Sequence, residues 1–327
     1  MTVGIEAESI PSRRTRRTLK RREPSSWEVS MSGARGICPA MMTAWGSDEL
    51  YDRAKSEAYV TWLIESGAEA LSVCGSTGEM TAMQPDEQAE IIDHVTRFVA
   101  GQVPVLASVG KYSTFETLYL ARKAKASGVD GLMVLLPYYY KPYKEAAREH
   151  LRTVRRETGL PICLYNNPHF AGYEFTTREA TELFDEGTID SIKSAHGDTN
   201  RITDLKFFSD MTVFYGHDYS GQAAYAAGAD GWLSGFPAAF PKQCRAVQDA
   251  IRDERDLDKG KAAWSKFIPF VEYFMDPDTN AEVHWLEILK FALLVQGVDV
   301  GFARRPLKEL TEAHKAKVEN LLETLLS

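Results

Sequence analysis

The chain lacks several features that would place it in a common class of protein. Its 327 residues include only four cysteines, and no two of them form a Cys-x-x-Cys pair. No apolar run approaches the roughly 20 residues that a membrane-spanning helix needs. The formal net charge is −8, with +3 on residues 1–30 and −11 on the remainder. These absences argue against a disulfide framework, a membrane protein, and nucleic acid as the main partner.

The few cysteines have the settings of core residues. Cys38, Cys74 and Cys163 lie in apolar, strand-like runs, and Cys244 lies outside them. Disulfides are rare in reducing compartments, and none of these spacings is typical of a zinc site. We therefore expect four reduced thiols in a cytoplasmic protein and no metal site.

The first 34 residues differ from the rest of the chain. The run Arg13–Glu23 is strongly basic, and no apolar segment follows it, which excludes a secretory signal. Glu6 and Glu8 argue against a transit peptide. The segment is predicted to be a disordered, solvated tail, with an arm for nucleic acid or a membrane surface as the alternative. Met31 offers a second translation start, which would make part of the tail dispensable.

From Gly36 onward one rhythm repeats, in which a short apolar run precedes a turn and an amphipathic segment. Strands that alternate with helices of about 10–15 residues indicate βαβ units with parallel strands. The eight apolar runs are residues 36–44, 69–75, 104–110, 130–137, 161–168, 189–195, 212–216 and 230–235. Eight such units predict an α/β fold, the TIM (β/α)8 barrel. A doubly wound sheet is the alternative, although no G-x-G-x-x-G follows the first run.

Beyond Pro241 the pattern becomes helical only. The predicted helices are residues 242–253, 256–274, 280–296 and 306–326. One of them is expected to complete the barrel, and the others form an appendage. We therefore predict three segments, which are a tail at 1–34, the barrel at 35–255, and a C-terminal helical region packed on the barrel at 256–327.

The active site of such a barrel forms at the C-terminal ends of its strands, so the residues after each run are the candidates. The second run ends in Gly75–Glu79, where two glycines permit a tight turn. Ser76 and Thr77 in this turn offer hydroxyl and N–H groups that suit a carboxylate or a phosphate. An ordinary turn without a ligand is the structural alternative.

Two further runs lead into tyrosines. The fourth continues into Pro137–Pro142, whose three consecutive tyrosines equally suit an aromatic packing cluster or an interface. The fifth continues into Tyr165–Pro168, where the phenol of Tyr165 can relay protons over the barrel mouth. A buried tyrosine with a satisfied hydroxyl is the structural alternative.

The sixth run carries Lys193 inside an apolar strand. Lysine is rarely buried without a function, and burial disfavours the charged amine. A neutral amine attacks a carbonyl to form a Schiff base, whose enamine supports carbon–carbon cleavage, condensation or β-elimination. A solvent-exposed lysine at a strand end is the alternative. Together the turn, the tyrosine and the lysine describe a site for a 2-oxo acid.

These stretches resemble the signature motifs of a known family. "GSTGE", "YNNP" and "IKSAHGD" are similar to the three motifs of the dihydrodipicolinate synthase / N-acetylneuraminate lyase family, class I pyruvate-dependent aldolases. Residues 215–235 also resemble the region from strand seven to strand eight of that family. The likeness runs in order from about Gly36 to the C-terminus and leaves only the tail uncovered.

The resemblance implies the catalytic roles. Lys193 forms the Schiff base with the 2-oxo acid, and Tyr165 shuttles protons. Ser76 and Thr77 hold the carboxylate, and the Ser76 hydroxyl joins the proton relay. Tyr139 matches the tyrosine that the family contributes across its tight dimer interface.

The resemblance also implies a pocket and an assembly. Gly216 and Leu233 match positions that line the pyruvate pocket. The family is usually a homotetramer, a dimer of dimers, and it uses neither a metal nor an organic cofactor. The implied partner is therefore a small 2-oxo acid, with an aldehyde as a second substrate in some members.

Three departures bear on the substrate. Lysine-biosynthetic members carry an arginine two residues after the proline of the tyrosine motif, where this chain has Phe170. An apolar ring cannot replace a bidentate carboxylate ligand, so Phe170 is expected to contact a different substrate. Asp218 matches the first residue of an acidic pair in sialate lyases, but Tyr219 replaces the second. Ala238 stands where many members have asparagine.

The sequence therefore predicts a Schiff-base-forming lyase, either an aldolase or a dehydratase. It would act on pyruvate or a 2-keto-3-deoxy sugar acid through an enamine on Lys193. The alternatives are 4-hydroxy-tetrahydrodipicolinate synthase of lysine biosynthesis, and a non-catalytic protein that binds a keto acid. A metal-dependent aldolase is a further alternative, with candidate ligands at His196, Asp198, His217 and Asp218.

Overall fold

The computed structural model describes residues 35–327. The predictions made for the basic tail at residues 1–34 lie outside the described residues. Within residues 35–327, no helix is long and apolar enough to cross a membrane.

Eight parallel strands form the centre of the molecule. They are β1 (Gly36–Ile37), β2 (Leu71–Val73), β3 (Val105–Ser108), β4 (Gly131–Leu135), β5 (Ile162–Asn166), β6 (Ser191–Ser194), β7 (Thr212–Tyr215) and β8 (Gly231–Trp232). Each strand from β2 to β7 pairs with the next along the chain, and β8 also pairs with β1. A parallel bridge between Ala40, three residues after β1, and Ser72 of β2 closes the ring of strands. The predicted barrel is confirmed, and every strand lies within its predicted run.

Helices alternate with the strands around the outside of the barrel. They are α1 (Arg53–Glu65), α2 (Pro85–Val99), α3 (Thr114–Ser127), α4 (Lys144–Thr158), α5 (Pro168–Ala171), α6 (Thr177–Asp185), α7 (Asn200–Phe208), α8 (Gly221–Ala226), α9 (Gly235–Ala239) and α10 (Pro241–Gln248). Local sequence sets several of their ends. The Ser113 side chain caps the start of α3 by accepting from the Glu116 backbone N–H, and Gly128 ends α3 with a φ of 81°.

Five helices follow a π-helical turn at Asp249–Asp253. They are α11 (Leu257–Ser265), α12 (Ile268–Met275), α13 (Pro277–Glu282), α14 (Trp285–Val295) and α15 (Glu312–Leu326). The predicted helix 256–274 is interrupted at residues 266–267, and the predicted helix 280–296 is interrupted at residues 283–284. The His284 side chain caps α14 by accepting from the Leu286 N–H. Asp276, in the predicted gap between the two helices, caps α13 by accepting from the Thr279 N–H. The last helix begins at Glu312 rather than at residue 306.

An aromatic cluster attaches the C-terminal helices to the barrel. The Phe236 ring of α9 stacks on Phe267 with ring centroids 5.6 Å apart, and Phe240 meets Phe270 edge to face at 5.1 Å. Trp232 of β8 lies 6.2 Å from Phe267. All five rings are fully buried. The division of the chain at residue 256 stays an interpretation, since this core extends over both sides of it.

A buried ion pair adds a polar connection between the same regions. The Glu79 carboxylate, in the turn after β2, lies 2.7 Å from Lys290 Nζ of α14, and both side chains are almost completely buried. Lys290 Nζ also donates to the Thr43 carbonyl at 2.9 Å. Glu79 accepts further hydrogen bonds from Trp45 Nε1 and from the Arg304 backbone N–H, both at 2.8 Å. A buried charge pair is tolerated only when its remaining polar atoms are satisfied in this way.

Lys290→Met is expected to destabilise the protein because it leaves the Glu79 carboxylate buried without its countercharge. Removing one partner of a buried pair costs about 3–5 kcal/mol of unfolding free energy. Urea denaturation of the variant and the parent measures the difference. The double variant Glu79→Gln/Lys290→Met should regain part of the loss, since it carries no uncompensated charge.

The matched control is Lys259→Met, which removes an exposed lysine paired with Glu254. Exposed pairs contribute little to stability, so this variant should unfold like the parent. Equal unfolding free energies for Lys290→Met and Lys259→Met would contradict the importance of the buried pair.

Candidate active site

A cavity of about 490 Å³ opens at the C-terminal ends of the barrel strands. Its size falls within the range of about 300–1,000 Å³ that small-molecule sites occupy. The residues around it are Ser76, Thr77, Tyr165, Asn167, His169, Phe170, Lys193, Ala195, Gly216, His217, Asp218, Ser234, Gly235, Phe274, Met275, Asn280, Val283, His284 and Trp285. The cavity therefore brings together four of the predicted site residues from β2, β5 and β6 and their following turns: Ser76, Thr77, Tyr165 and Lys193.

Lys193 reaches the cavity from inside the barrel. Its side chain is 3% exposed, and its register partner on β5 is Tyr165. The ammonium nitrogen lies 4.0 Å from the centroid of the Tyr165 ring. Among the described residues, no carboxylate lies within ion-pair distance of Lys193, although the chain contains many such pairs elsewhere. The amine is thus held by an aromatic face and left available to an incoming carbonyl.

Tyr165 is oriented by a residue that sequence reasoning missed. Asn167 Nδ2 donates to the Tyr165 hydroxyl at 3.0 Å. The Oδ1 atom of the same asparagine accepts from the backbone N–H groups of His169 and Phe170, which begin α5. The second asparagine of "YNNP" was the available signal, since asparagine often caps a short helix.

The turn after β2 presents Ser76 and Thr77 to the cavity. A β-carbon at Gly78 would lie 2.9 Å from the Met41 carbonyl oxygen, so only glycine permits this close approach of two backbones. Thr77 is buried, and Ser76 is partly exposed. The two hydroxyl groups therefore lie at the same cavity as Lys193, where they can bind an anionic group.

Gly216 leaves room for the lysine stem. A β-carbon at this position would lie 2.8 Å from Lys193 Cγ and 2.9 Å from the Ser194 carbonyl oxygen. The first atom belongs to a side chain held against Tyr165, and the second belongs to the backbone of β6. Neither can move freely, so the absence of a side chain at Gly216 fixes the path of Lys193.

Asp218 and His217 line the cavity on the β7 side. Ser234 Oγ and the Phe236 backbone N–H donate to the Asp218 carboxylate, and burial raises the pKa of this carboxyl group. Burial lowers the pKa of His217 to about 4, with smaller contributions from His169 and Lys193. His217 is therefore neutral at neutral pH, and its Nδ1 accepts from the Asp218 N–H at 3.0 Å.

The other candidate metal ligands lie elsewhere. His196 is near Glu174, with 3.9 Å between Nε2 and the carboxylate, and neither His196 nor Asp198 lines the cavity. Within residues 35–327, no three His, Cys, Asp or Glu side chains are grouped as a metal site requires. Of the four candidate metal ligands, His217 and Asp218 therefore line the cavity, whereas His196 and Asp198 do not.

Two predicted site residues do not line the cavity of this chain. Tyr139 is 75% exposed and packs against Tyr112 and Tyr140 on the surface. Its predicted role needs a second chain and stays a prediction. Leu233 is completely buried, and its backbone N–H donates to the Tyr215 carbonyl. The alternation of side chains places the next residue, Ser234, at the cavity instead.

The C-terminal helices supply a cavity wall that the sequence did not reveal. This C-terminal wall consists of Phe274, Met275, Asn280, Val283, His284 and Trp285. Helical periodicity identifies an apolar face but does not say which neighbour it meets. Of the two helix breaks beside these residues, the one after Met275 lies between two predicted helices, and the one before Trp285 was not predicted.

Comparisons with known proteins agree with this geometry. The sequence profile of the dihydrodipicolinate synthetase family matches residues 33–325. The 4-hydroxy-tetrahydrodipicolinate synthase of Methanococcus maripaludis is 29% identical over 292 residues, which cover 89% of this chain and 98% of that enzyme. The enzyme of the same name from a Synechococcus species is 32% identical, and the match covers 88% of this chain and 94% of that enzyme.

A solved structure of the same family is also similar to this chain. A prophage protein of the dihydrodipicolinic acid synthase family from E. coli K12, solved in complex with pyruvate, superimposes with a TM-score of 0.82. The sequence identity is 25%, and the match covers 89% of this chain and 98% of that protein.

Gly216→Ala is expected to lower the unfolding free energy by about 1–3 kcal/mol, because the added methyl group overpacks the Lys193 stem. Thermal and urea denaturation measure the change. Gly75→Ala is the matched control, since its β-carbon would meet only the ends of two side chains at 3.2 Å. Equal stabilities for the two variants would show that Gly216 does not constrain Lys193.

Proposed function

The chain belongs to the dihydrodipicolinate synthetase family and is a lyase of that family, and we propose that Lys193 is its Schiff-base nucleophile toward pyruvate or a related 2-oxo acid. The observation that carries this assignment is the buried amine, 4.0 Å from the Tyr165 ring centroid, at a cavity that Ser76 and Thr77 also line. The pyruvate complex of the E. coli K12 relative supports the substrate class.

The proposed reaction begins with attack of neutral Lys193 Nζ on the carbonyl carbon of the 2-oxo acid. The carbinolamine hydroxyl takes up a proton and leaves as water, which gives a protonated imine that withdraws electrons from the neighbouring carbon. Loss of a proton from that carbon gives the enamine. Ser76 and Thr77 bind the carboxylate during these steps.

The enamine then has two outcomes. In an aldolase its carbon attacks an aldehyde carbonyl, the new alkoxide takes up a proton, and water releases the product from Lys193. In a dehydratase the enamine instead expels a hydroxyl group as water from a 2-keto-3-deoxy sugar acid. Tyr165, oriented by Asn167, is the group placed to transfer protons in either case.

The proposal includes the finer points of cofactor, assembly and location. We propose that the covalent bond to Lys193 takes the place of any metal or organic cofactor. The exposed tyrosines Tyr139, Tyr140 and Tyr143 support a homotetramer in which Tyr139 enters a neighbouring site. Four buried, unpaired cysteines support a cytoplasmic location.

Borohydride reduction in the presence of pyruvate should leave a stable pyruvyl adduct on Lys193. Intact and peptide mass spectrometry detect the adduct, and Lys193→Ala should remove it. Lys111 and Lys290 are also buried and serve as internal controls, because neither lines the cavity. An adduct on these lysines, or no adduct with any 2-oxo acid, would refute the proposed nucleophile.

A second candidate function is 4-hydroxy-tetrahydrodipicolinate synthase. The names of the two curated relatives favour it. Phe170 argues against it, because this ring lies at the cavity where lysine-biosynthetic members have an arginine that binds the carboxylate of the aldehyde.

Phe170→Arg should therefore increase kcat/KM for aspartate semialdehyde by about tenfold to a hundredfold, the value of a charged hydrogen bond in a protected site. A coupled reductase assay measures the rate. Phe170→Gln is the control, since it removes the ring without adding charge. High activity of the parent with aspartate semialdehyde, unchanged by either substitution, would instead establish the synthase.

A further inference from the structure

We propose that the second substrate is an uncharged aldehyde with an apolar, ring-sized body, and that the C-terminal wall binds it. This inference rests on the proposed function, because the aldehyde must meet an enamine held on Lys193. It adds a binding site for that aldehyde, formed by residues from the end of α12 to the start of α14 and by Phe170 of α5.

The first argument is the apolar surface inside the cavity. Phe170 is 53% exposed and Met275 is 40% exposed, although both line a concave site. Trp285 of the same cavity is partly exposed, and the buried residues Phe274 and Val283 also line it. Apolar groups grouped in a cleft and open to water are typical of a surface that a ligand covers.

The second argument is charge. Lys193 is the only lysine or arginine among the described residues that line the cavity, and its nitrogen is uncharged once the protonated imine has become the enamine. Burial lowers the pKa of His217 to about 4 and also lowers the pKa of His284, so both rings are neutral at neutral pH. His169 lies at the exposed rim. A carboxylate on the aldehyde would therefore lack a buried countercharge and would face Asp218.

The third argument is that the wall has few polar side chains and that Asn280 and His284 each already use one polar atom in a bond to the protein. Asn280 Nδ2 donates to the Phe274 carbonyl at 3.3 Å. His284 Nδ1 accepts from the Leu286 N–H, also at 3.3 Å. A polyhydroxylated sugar chain needs many free donors and acceptors, because unsatisfied hydroxyl groups are costly to bury. The wall suits a flat apolar ring better, since such a ring packs on Trp285 and Phe170.

The experiment compares three aldehydes with pyruvate as the common partner. They are benzaldehyde, which is uncharged and apolar, aspartate semialdehyde, which is charged, and glyceraldehyde, which is hydroxylated. Pyruvate consumption gives kcat/KM for each, and borohydride trapping with pyruvate alone reports separately on Lys193. We expect the highest kcat/KM with benzaldehyde.

The variant Met275→Glu tests the location. A charge on the wall should raise KM for benzaldehyde and lower kcat/KM by about tenfold or more, the scale of a lost hydrophobic contact. Met275→Leu keeps an apolar side chain and should retain the preference of the parent for benzaldehyde. Leu257→Glu is the control, because Leu257 is exposed and does not line the cavity.

The outcomes separate this inference from the proposed function. No pyruvate adduct in the parent would refute the Schiff-base function and this inference with it. An adduct together with a preference for aspartate semialdehyde or glyceraldehyde, or with no turnover of any aldehyde, would overturn the inference alone. A benzaldehyde preference that Met275→Glu and Leu257→Glu leave equally unchanged would show that the C-terminal wall is not the binding site.

Discussion

The buried ion pair between Glu79 and Lys290 connects two parts of the active site that are far apart in the chain. Glu79 ends the turn that presents Ser76 and Thr77, and Lys290 belongs to α14, which begins with Trp285 at the C-terminal wall. A buried charge has a strong preference for one geometry, because any displacement leaves it without a partner. The pair therefore fixes the distance between the carboxylate-binding turn and the wall proposed to hold the aldehyde.

The two ends of the cavity differ in charge. At its deep end, Lys193 lies against the Tyr165 ring without a carboxylate partner among the described residues. Toward the C-terminal wall, burial keeps His217 and His284 neutral by lowering the pKa of each. Such a gradient places the keto acid next to the amine and leaves the rest of the cavity to an uncharged group. In the proposed reaction, this difference in charge favours one orientation of the two substrates.

Much of the barrel and of its catalytic end could be predicted because the signals are local. Each strand is a short apolar run, and Ser76, Tyr165 and Lys193 follow or occupy such runs, so a barrel brings them together. The C-terminal wall could not be predicted in this way. Its position depends on the break before Trp285, inside a predicted helix, and on an aromatic core that only the folded chain assembles. The exposure of Tyr139 and the burial of Leu233 could not be predicted either, since both depend on neighbours distant in sequence.

The residues proposed for the chemical steps and those proposed for aldehyde specificity lie on different elements of the fold. Lys193 and Tyr165 lie on paired strands whose register is fixed by backbone hydrogen bonds. Phe170 and Met275 lie on short helices at the rim and contribute no backbone to the barrel. Substitutions at the rim can therefore change which aldehyde enters without moving the amine. Asn167 is the exception, because one of its side-chain atoms holds the Tyr165 hydroxyl and the other caps the helix that carries Phe170. If Tyr165 transfers protons and Phe170 contacts the second substrate as proposed, a change at Asn167 is expected to alter both functions, because this residue contacts both parts of the site directly.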